Sequence, residues 1–127
     1  VLNGIKSYYF ADGKKSCDET YKDDKLNGLR TEWFHNGKIS EEANYEDAYL
    51  HGTFNKYYES GKIKEKAFYI DGRLSGERTE WHENGNKKSE RNYEWSSERL
   101  INKETGTSYK WDSEGLLSEK KLIMKMD

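Results

Sequence analysis

Apolar and polar residues alternate with a period of two along most of the chain. In one stretch, Leu29, Thr31 and Trp33 share a face. A second stretch follows Asn36-Gly37 and places four residues on one face: Ile39, Glu41, Ala43 and Tyr45. Such alternation is typical of strands that are buried on one side. The pattern therefore predicts pairs of β-strands.

Dipeptides that end in glycine separate the two predicted strands of each pair. They are Asp12-Gly13, Asn36-Gly37, Ser60-Gly61, Asn84-Gly85 and Glu114-Gly115. Glycine takes the positive φ that tight turns require, so each dipeptide predicts a hairpin turn. A second set of turns is predicted at the links between pairs, at residues 25–28, 49–52 and 73–76.

The strand pairs recur with a period of 24 residues. A first glycine marks each unit: Gly4, Gly28, Gly52, Gly76 and, after a longer interval, Gly106. Five residues later comes an aromatic residue: Tyr9, Trp33, Tyr57, Trp81 and Trp111. Seventeen residues after the glycine comes Tyr21, Tyr45, Tyr69 or Tyr93, with Ile123 in the last unit. We place the units at 3–26, 27–50, 51–74, 75–94 and 104–123 of one domain that spans residues 1–127, with an insertion at 95–103.

A lone hairpin is only marginally stable in water, so the units are expected to pair edge to edge. The sequence thus predicts an all-β fold, an elongated array of about five antiparallel β-hairpin repeats that form a single twisted sheet. Stacking places the five rings that begin with Tyr9 in one column along one face. The column of tyrosines that begins with Tyr21 is expected to run beside it.

Composition agrees with a thin fold. Only 32% of residues are hydrophobic and 36% are charged, yet 14% are aromatic, so large rings supply much of the apolar surface. The net charge is −2 with both signs mixed along the chain, which disfavours nucleic acid and anionic membranes as partners. Cys17 is the only cysteine, so no intramolecular disulfide can form.

No residue pattern indicates a catalytic, cofactor-binding or metal site. Glu41, Glu65 and Glu119 recur on the face of the tyrosines, where lysines and arginines surround them, and we interpret them as a solvated charge ladder. The three histidines fall at different positions of the repeat and do not converge: His35, His51 and His82. The chain is therefore expected not to be an enzyme.

The repeat unit resembles the MORN repeat, in the variant found in bacterial proteins classed as YwqK-like antitoxins. Residues 28–50 and 52–74 match it best. The resemblance implies an extended antiparallel hairpin array with an aromatic groove. MORN-type arrays are linked to protein binding, membrane association and scaffolding, and the antitoxin class implies a protein that binds and blocks a toxin.

Two functions are compatible with these observations. The first is a non-catalytic protein-binding module, an antitoxin or immunity protein that occludes a toxin partner. The second is a structural or scaffolding module of a cell-envelope or surface protein. Location follows function: cytoplasmic for an antitoxin, and exported if a leader preceded Val1.

The candidate partner-binding residues are the rings of the aromatic column: Tyr9, Trp33, Tyr57, Trp81 and Trp111. Exposed Tyr and Trp are favoured anchors at protein interfaces. The same rings could instead serve only as the thin core. The insertion, which includes Trp95 and Leu100, is either a binding element or a wider loop that folds back over the sheet.

Overall fold

A computed structural model of the chain describes residues 1–96 and 101–123, and over these ranges it contains strands and turns but no helix. The described residues form eleven strands: β1 (Gly4–Tyr9), β2 (Lys15–Lys22), β3 (Lys25–Trp33), β4 (Ile39–Glu46), β5 (Tyr49–Tyr57), β6 (Ile63–Ile70), β7 (Arg73–Leu74), β8 (Gly76–Trp81), β9 (Lys87–Ser96), β10 (Ile101–Trp111) and β11 (Leu117–Ile123). They form one open antiparallel sheet in which neighbours in sequence pair, while the short β7 pairs with β6 beside β8. The predicted all-β hairpin array is confirmed.

The turns within the hairpins lie where the sequence predicts them. In the first, the amide of Gly13 donates to the carbonyl of Phe10 (2.9 Å), and the amide of Phe10 donates to the carbonyl of Lys14 (2.7 Å). The same two bonds recur in the other four hairpins, and each glycine has a positive φ. This is a type I turn closed by a left-handed glycine, a common three-residue hairpin loop.

The links between hairpins turn earlier than predicted. Residues 25–28 and 49–52 belong to strands, and 73–76 contain β7 and the start of β8. The turns are instead the dipeptides Asp23-Asp24, Asp47-Ala48 and Asp71-Gly72, whose residues all have positive φ. Positive φ at both central positions defines the type I′ turn, which aspartate tolerates better than most residues. The glycines nearby that suggested turns have another role.

Those glycines lie opposite the regularly spaced tyrosines of the repeat. Gly28 pairs with Tyr45 and Gly52 with Tyr69 across the β3–β4 and β5–β6 pairs. The seventeen-residue interval in the sequence is therefore a direct cross-strand pair. Gly28 has a φ of +112°, and a Cβ there would lie 3.2 Å from Thr20 Cγ2. Both facts favour glycine at this position.

Each hairpin contains a β-bulge at its aromatic ring. Trp33 pairs with Ile39 while Glu32 pairs with Glu41, which leaves Ser40 as the extra residue. The same shift recurs at the other four rings. Because a bulge interrupts the alternation of side chains, Ile39 belongs to the face of Trp33. The prediction that Ile39 shares a face with Glu41 is wrong for this reason.

The two aromatic columns lie on opposite faces, which corrects the expectation that they run side by side. Trp33 lies two residues after Thr31 in β3, so the two share a face. Glu42 lies on the same face because it pairs directly with Thr31. Tyr45 shares the other face with Ala43, which is paired with Arg30. We call these the aromatic face and the carboxylate face, the latter after the glutamates described below.

No large side chain is fully buried in the part of the chain that the structure describes. The most buried apolar residues are small: Cys17, Ala43 and Ala67. Buried polar residues outnumber them: Glu19, Thr31, Glu65, Thr79, Ser89 and Ser108. The sheet is a single layer, so its buried residues are those that long side chains on each face cover.

Hydrogen bonds at both ends of the strands supplement the strand pairing. At the type I′ turns, the amide of Ala48 donates to the carbonyl of Leu26 (2.8 Å), and that of Gly72 to Leu50 (2.7 Å), so each turn is bound to the first strand of the hairpin that it follows. At the opposite ends, the hydroxyl of Tyr58 donates to the carbonyl of Trp81 (2.6 Å) and so joins the third hairpin to the fourth. This bond helps to keep the rings of these neighbouring units in register.

Candidate functional site

The aromatic face carries all five rings that the sequence selects, one in each hairpin. The strands that hold them are β1, β3, β5, β8 and β10, and each ring lies at the last position of its strand. The pairing partners of the rings are Lys15, Ile39, Ile63, Lys87 and Leu117. Rings and partners together form the first row of the aromatic face, next to the glycine turns.

The rings differ in how much of their surface water can reach. Tyr9, at the end of the sheet, is 60% exposed. Trp33, Tyr57, Trp81 and Trp111 are half-buried. The structure therefore brings four of the five predicted residues into one row of partly covered rings, with Tyr9 more open at the end.

Specific contacts hold several rings in place. The hydroxyl of Tyr57 donates to Glu42 Oε1 at 2.7 Å. Burial and this bond raise the pKa of Tyr57 to about 12, so its hydroxyl remains a donor at neutral pH. Lys15 Nζ lies 5.8 Å from the centre of the Trp33 ring, within the range of a cation–π contact. The Trp111 ring stacks on Tyr109, with 5.6 Å between their centres.

A second row runs beside the rings across the strands. Its members pair in unbroken sequence from β2 to β9: Asp18, Thr31, Glu42, Asn55, Lys66, Thr79 and Glu90. Asp18 forms an ion pair with Lys15 (3.2 Å), and Glu90 forms one with Lys87. Lys66 forms no ion pair with any residue in the described ranges. No motif in the sequence points to this row.

A shallow cavity of ≈ 360 Å³ lies on the aromatic face beside Trp81. Its lining includes the rings of Phe68 and Trp81 and the charged residues Lys66 and Glu77. Phe68 is 43% exposed, and Leu29, which lies farther along the same face, is 45% exposed. Such partly exposed apolar side chains beside fixed rings are features of protein-binding surfaces.

The carboxylate face is organised by two arginines. Arg30 contacts three glutamates, with its Nε 3.0 Å from Glu19 Oε2, its Nη2 2.8 Å from Glu32 Oε1 and its Nη1 3.6 Å from Glu41 Oε2. Arg78 repeats the arrangement with Glu65 and with Glu80. These networks join neighbouring hairpins across the face.

The expectation of a solvated charge ladder on this face is wrong for Glu65. Glu65 is only 8% exposed, and its carboxylate is paired with Arg78. Glu119 is half exposed and pairs with Lys110 at 3.2 Å. A buried carboxylate requires a charged or hydrogen-bonding partner, and the arginine provides it. The ladder is thus structural in its middle and solvated at its end.

Burial and charge act in opposite directions on the glutamates around Arg30. Burial raises the pKa of Glu19, but hydrogen bonds from Tyr8, Arg30 and Tyr21 more than offset this and lower it below the usual value. Burial and the neighbouring Glu32 raise the pKa of Glu41. Both carboxylates are engaged with Arg30.

The three histidines occupy separate places. His35 Nε2 lies 2.5 Å from Asp12, at the glycine turns. His51 lies at the other ends of the strands, where Nδ1 accepts a bond from the amide of Asp71 at 3.4 Å. His82 Nε2 is 2.9 Å from the carbonyl of Trp111, so it joins hairpins as Tyr58 does. Among the described residues, no group of three or more His, Cys, Asp or Glu could hold a metal ion.

Part of the insertion lengthens the sheet. Trp95 lies in β9, where it pairs with Asn102 of β10, and these two strands are longer than their equivalents in most hairpins. The Arg73 guanidinium lies over the Trp95 ring at 3.6 Å from its centre. Residues 97–100, which include Leu100, lie outside the described ranges. The part of the chain that is described contains no helix long and apolar enough to cross a bilayer.

Comparison with protein families identifies the hairpin array. A family model for the MORN repeat variant matches residues 26–47, 50–71 and 74–94, which make up just over half of the chain. The chain belongs to the MORN repeat variant family. Each matched stretch of this MORN array begins just after a type I′ turn and contains one complete glycine-turn hairpin. No protein of curated function matches the chain significantly.

Family membership sets the general class of activity. MORN repeats are generally non-catalytic modules that bind proteins or membranes. The MORN array has two different surfaces, one with rings and one with arginine–glutamate networks. The repeat in the sequence predicts the row of rings, but it does not point to Phe68, to Lys66 or to the isoleucine partners of the rings. A signal for the isoleucines was present in the sequence. Every ring stands at the same interval from its glycine turn, so the bulge recurs at the same position in each hairpin.

Proposed function

We propose that this MORN array is a protein-docking module whose partner binds the aromatic face. The observation that supports the proposal is the row of half-exposed rings, in which Trp33, Tyr57 and Trp81 occupy the middle hairpins. Rings on a rigid sheet bury a large area with little loss of side-chain entropy. The exposed Phe68 and Leu29 extend the apolar area away from the row.

The charges of the aromatic face favour a protein over an anionic membrane. Lys15 and Lys87 are neutralised by Asp18 and Glu90. Lys66 is left without an ion pair in the described part of the chain. Binding to anionic lipids usually requires a cluster of four or more basic residues, each worth about 1 kcal/mol near the surface. A mixed rim around rings is instead typical of protein interfaces.

The mode of action that we propose is occlusion, as in an antitoxin or immunity protein that covers the working surface of a toxin. Occlusion requires a stable, preformed surface, and the bonds that join successive hairpins supply that stability. It requires no chemical step, in keeping with carboxylates that are held by Arg30 and Arg78. The resemblance to bacterial antitoxins supports this finer assignment.

The proposal is tested by partner capture from cells that encode the chain, followed by binding measurements with the purified pair. Trp81→Ala should weaken binding by more than about 1 kcal/mol, or roughly fivefold, if the rings are anchors. Tyr49→Ala is the matched control, since it also removes a ring but one that is 61% exposed at the type I′ turns. A partner that binds Trp81→Ala as tightly as the wild type would contradict docking on the aromatic face.

A further inference from the structure

The first row of the aromatic face is symmetric about its central strand, β5. From β2 to β9, through seven neighbouring strands, it consists of Lys15, Trp33, Ile39, Tyr57, Ile63, Trp81 and Lys87. The residue types are the same in either direction. The bulges produce this row, because they bring Ile39 and Ile63 to the face of the rings.

The second row has the same symmetry with one informative exception. Asn55 lies at its centre, with Glu42 paired on one side and Lys66 on the other. Farther out come two threonines, Thr31 and Thr79, and then two acidic residues that close the row: Asp18 and Glu90. The exception is that the two positions next to Asn55 carry opposite charges.

This pattern is self-complementary under a two-fold rotation. If two sheets face each other, an axis parallel to β5 and midway between them exchanges the strands on its two sides. Trp33 of one copy then faces Trp81 of the other, and Glu42 faces Lys66. Interfaces of this kind, in which one surface meets itself, are the commonest basis of symmetric dimers.

We propose that a second copy of this chain docks on the aromatic face about this axis. The inference rests on the proposed function, because it takes the same face to be a docking surface and names one of its occupants. A two-fold rotation would bring like charges together if positions 42 and 66 carried the same sign. Their opposite signs instead create two intermolecular ion pairs.

The charges on each side of β5 are available for such pairing. Lys66 is exposed and has no ion-pair partner within the described residues. Glu42 accepts a hydrogen bond from Tyr57, which leaves its second oxygen for another donor. At the ends of the face, the Lys15–Asp18 pair of one copy meets the Lys87–Glu90 pair of the other. Both end pairs are neutral, so they do not oppose the contact.

Asn55, the residue on the axis, lacks a hydrogen bond that a second copy can supply. Asn55 Oδ1 is buried and has no hydrogen-bond partner among the residues that the structure describes. The axis places the carboxamide of a second Asn55 opposite the first, and a carboxamide both donates and accepts. Rotation about χ2 turns the oxygen towards the other copy, where the two amides can form reciprocal bonds. Few other side chains could satisfy themselves in this way.

The contact is limited in size. Seven strands at about 4.8 Å spacing span about 29 Å. A third row lacks the symmetry, since Leu29 of one copy would face Glu77 of the other, so the contact comprises two rows only. An interface of this extent belongs to the weak or transient class. We therefore expect a reversible dimer that forms at high protein concentration.

Charge reversal tests the axis by sedimentation velocity over a concentration series from about 5 to about 500 µM, the range in which weak interfaces associate. Wild type should shift from monomer to dimer. Glu42→Lys and Lys66→Glu should each weaken the dimer at least about tenfold, because each creates two like-charge contacts. The double variant should recover it to within about threefold of wild type.

An equimolar mixture of the two single variants provides the sharpest comparison. In a mixed dimer, the two substituted positions face each other with opposite charges, and the native Lys66 of one chain faces the native Glu42 of the other, so association should return. The controls Glu59→Lys and Lys62→Glu make the same charge changes in a turn and should dimerise like wild type. Thermal melts check that each variant is folded. If Glu42→Lys disturbs the fold, Lys66→Glu and the neutral Lys66→Gln carry the test, with intermediate weakening expected for Lys66→Gln.

A wild-type chain that stays monomeric throughout the series would overturn the inference. So would a mixture that associates no better than the separate variants, or controls that lose the dimer equally. These outcomes leave the proposed function intact, because that is tested by the effect of Trp81→Ala on a captured partner. Conversely, a dimer that obeys the charge pattern would stand even if no other protein were captured.

Discussion

The hydroxyl of Tyr57 donates a hydrogen bond of 2.7 Å to Glu42, and so joins the third hairpin to the second. Because the ring is also half-buried, we expect Tyr57→Ala to lower the free energy of unfolding by about 2–3 kcal/mol. Lys64→Ala is the comparison: Lys64 is exposed, and its Nζ lies 5.5 Å from the Tyr58 ring centre. It should cost about 0.5 kcal/mol. Urea melts measure both, and equal losses would contradict the importance given to the ring.

The raised pKa of Tyr57 predicts a dependence of stability on alkaline pH. Its folded-state value of about 12 exceeds the reference value of 10.0, with burial as the main cause and the bond to Glu42 as the second. A raised pKa means that the stabilisation is fully present below pH 10 and is lost as the pH rises through about 12. Tyr57→Phe should therefore show a smaller fall in unfolding free energy over this interval. An identical fall in both proteins would show that Tyr57 does not contribute to it.

Replacement of Arg30 should reveal how much free energy it costs to bury the Glu19 carboxylate without a partner. Glu19 is 9% exposed, and Arg30 Nε lies 3.0 Å from it. We expect Arg30→Met to lose about 3 kcal/mol at neutral pH, because it leaves a buried carboxylate unpaired. Lys15→Met breaks an exposed pair and should lose less than about 1 kcal/mol. Chemical denaturation distinguishes the two, and similar losses would argue against a structural role for the buried pair.

The same variant should respond differently to acid. The pKa of Glu19 is lowered in the folded chain, so its stabilisation is present above the unfolded value and is lost as the pH falls through the folded value. In Arg30→Met the hydrogen bonds and charge that lower this pKa are reduced while burial remains. Protonation then relieves an unpaired charge, so the variant should lose less stability than wild type between about pH 5 and pH 3. A parallel loss in both would contradict this.

Gly28 and Gly13 allow strain and crowding to be separated. Both have positive φ, but a Cβ on Gly28 would lie 3.2 Å from Thr20, whereas one on Gly13 would meet nothing within 4 Å. Gly13→Ala should cost about 1 kcal/mol for the backbone alone. Gly28→Ala should cost more, about 2 kcal/mol, since Thr20 must also move. Denaturant melts rank the two, and a larger loss for Gly13→Ala would contradict the crowding at Gly28.

The hairpin array could be predicted from the sequence because its repeated intervals are physical pairs. The interval from Gly28 to Tyr45 is one rung of the sheet, and the Asn36-Gly37 dipeptide is the turn that sets it. The predicted position of the turns between hairpins is wrong because glycine is a common turn residue and Gly52 lies near the link. The actual turn there uses Asp47 and Ala48. Alanine gives no local signal for a positive φ, and only the pairing of the flanking strands imposes it there.

The ring column was also predictable, but its surroundings were not. A strict alternation assigns Ile39 to the wrong face, and the bulge residue that reverses the assignment, Ser40, has no distinctive side chain. Burial of Glu19 was missed for a different reason. A charged residue in a polar sequence is expected to be solvated, and only the three-dimensional position of Arg30 shows that it is not.

The pairing of β2 with β3, of β4 with β5 and of β6 with β8, together with the bond from Tyr58 to Trp81, connects each hairpin to its immediate neighbours. A molecule built in this way behaves as a one-dimensional cooperative system, in which stability is a sum of unit and nearest-neighbour terms. The end hairpins, with one neighbour each, open most often, and backbone amides near β5 exchange with solvent most slowly. Removal of one whole period from the interior would leave a shorter array with every rung still in register.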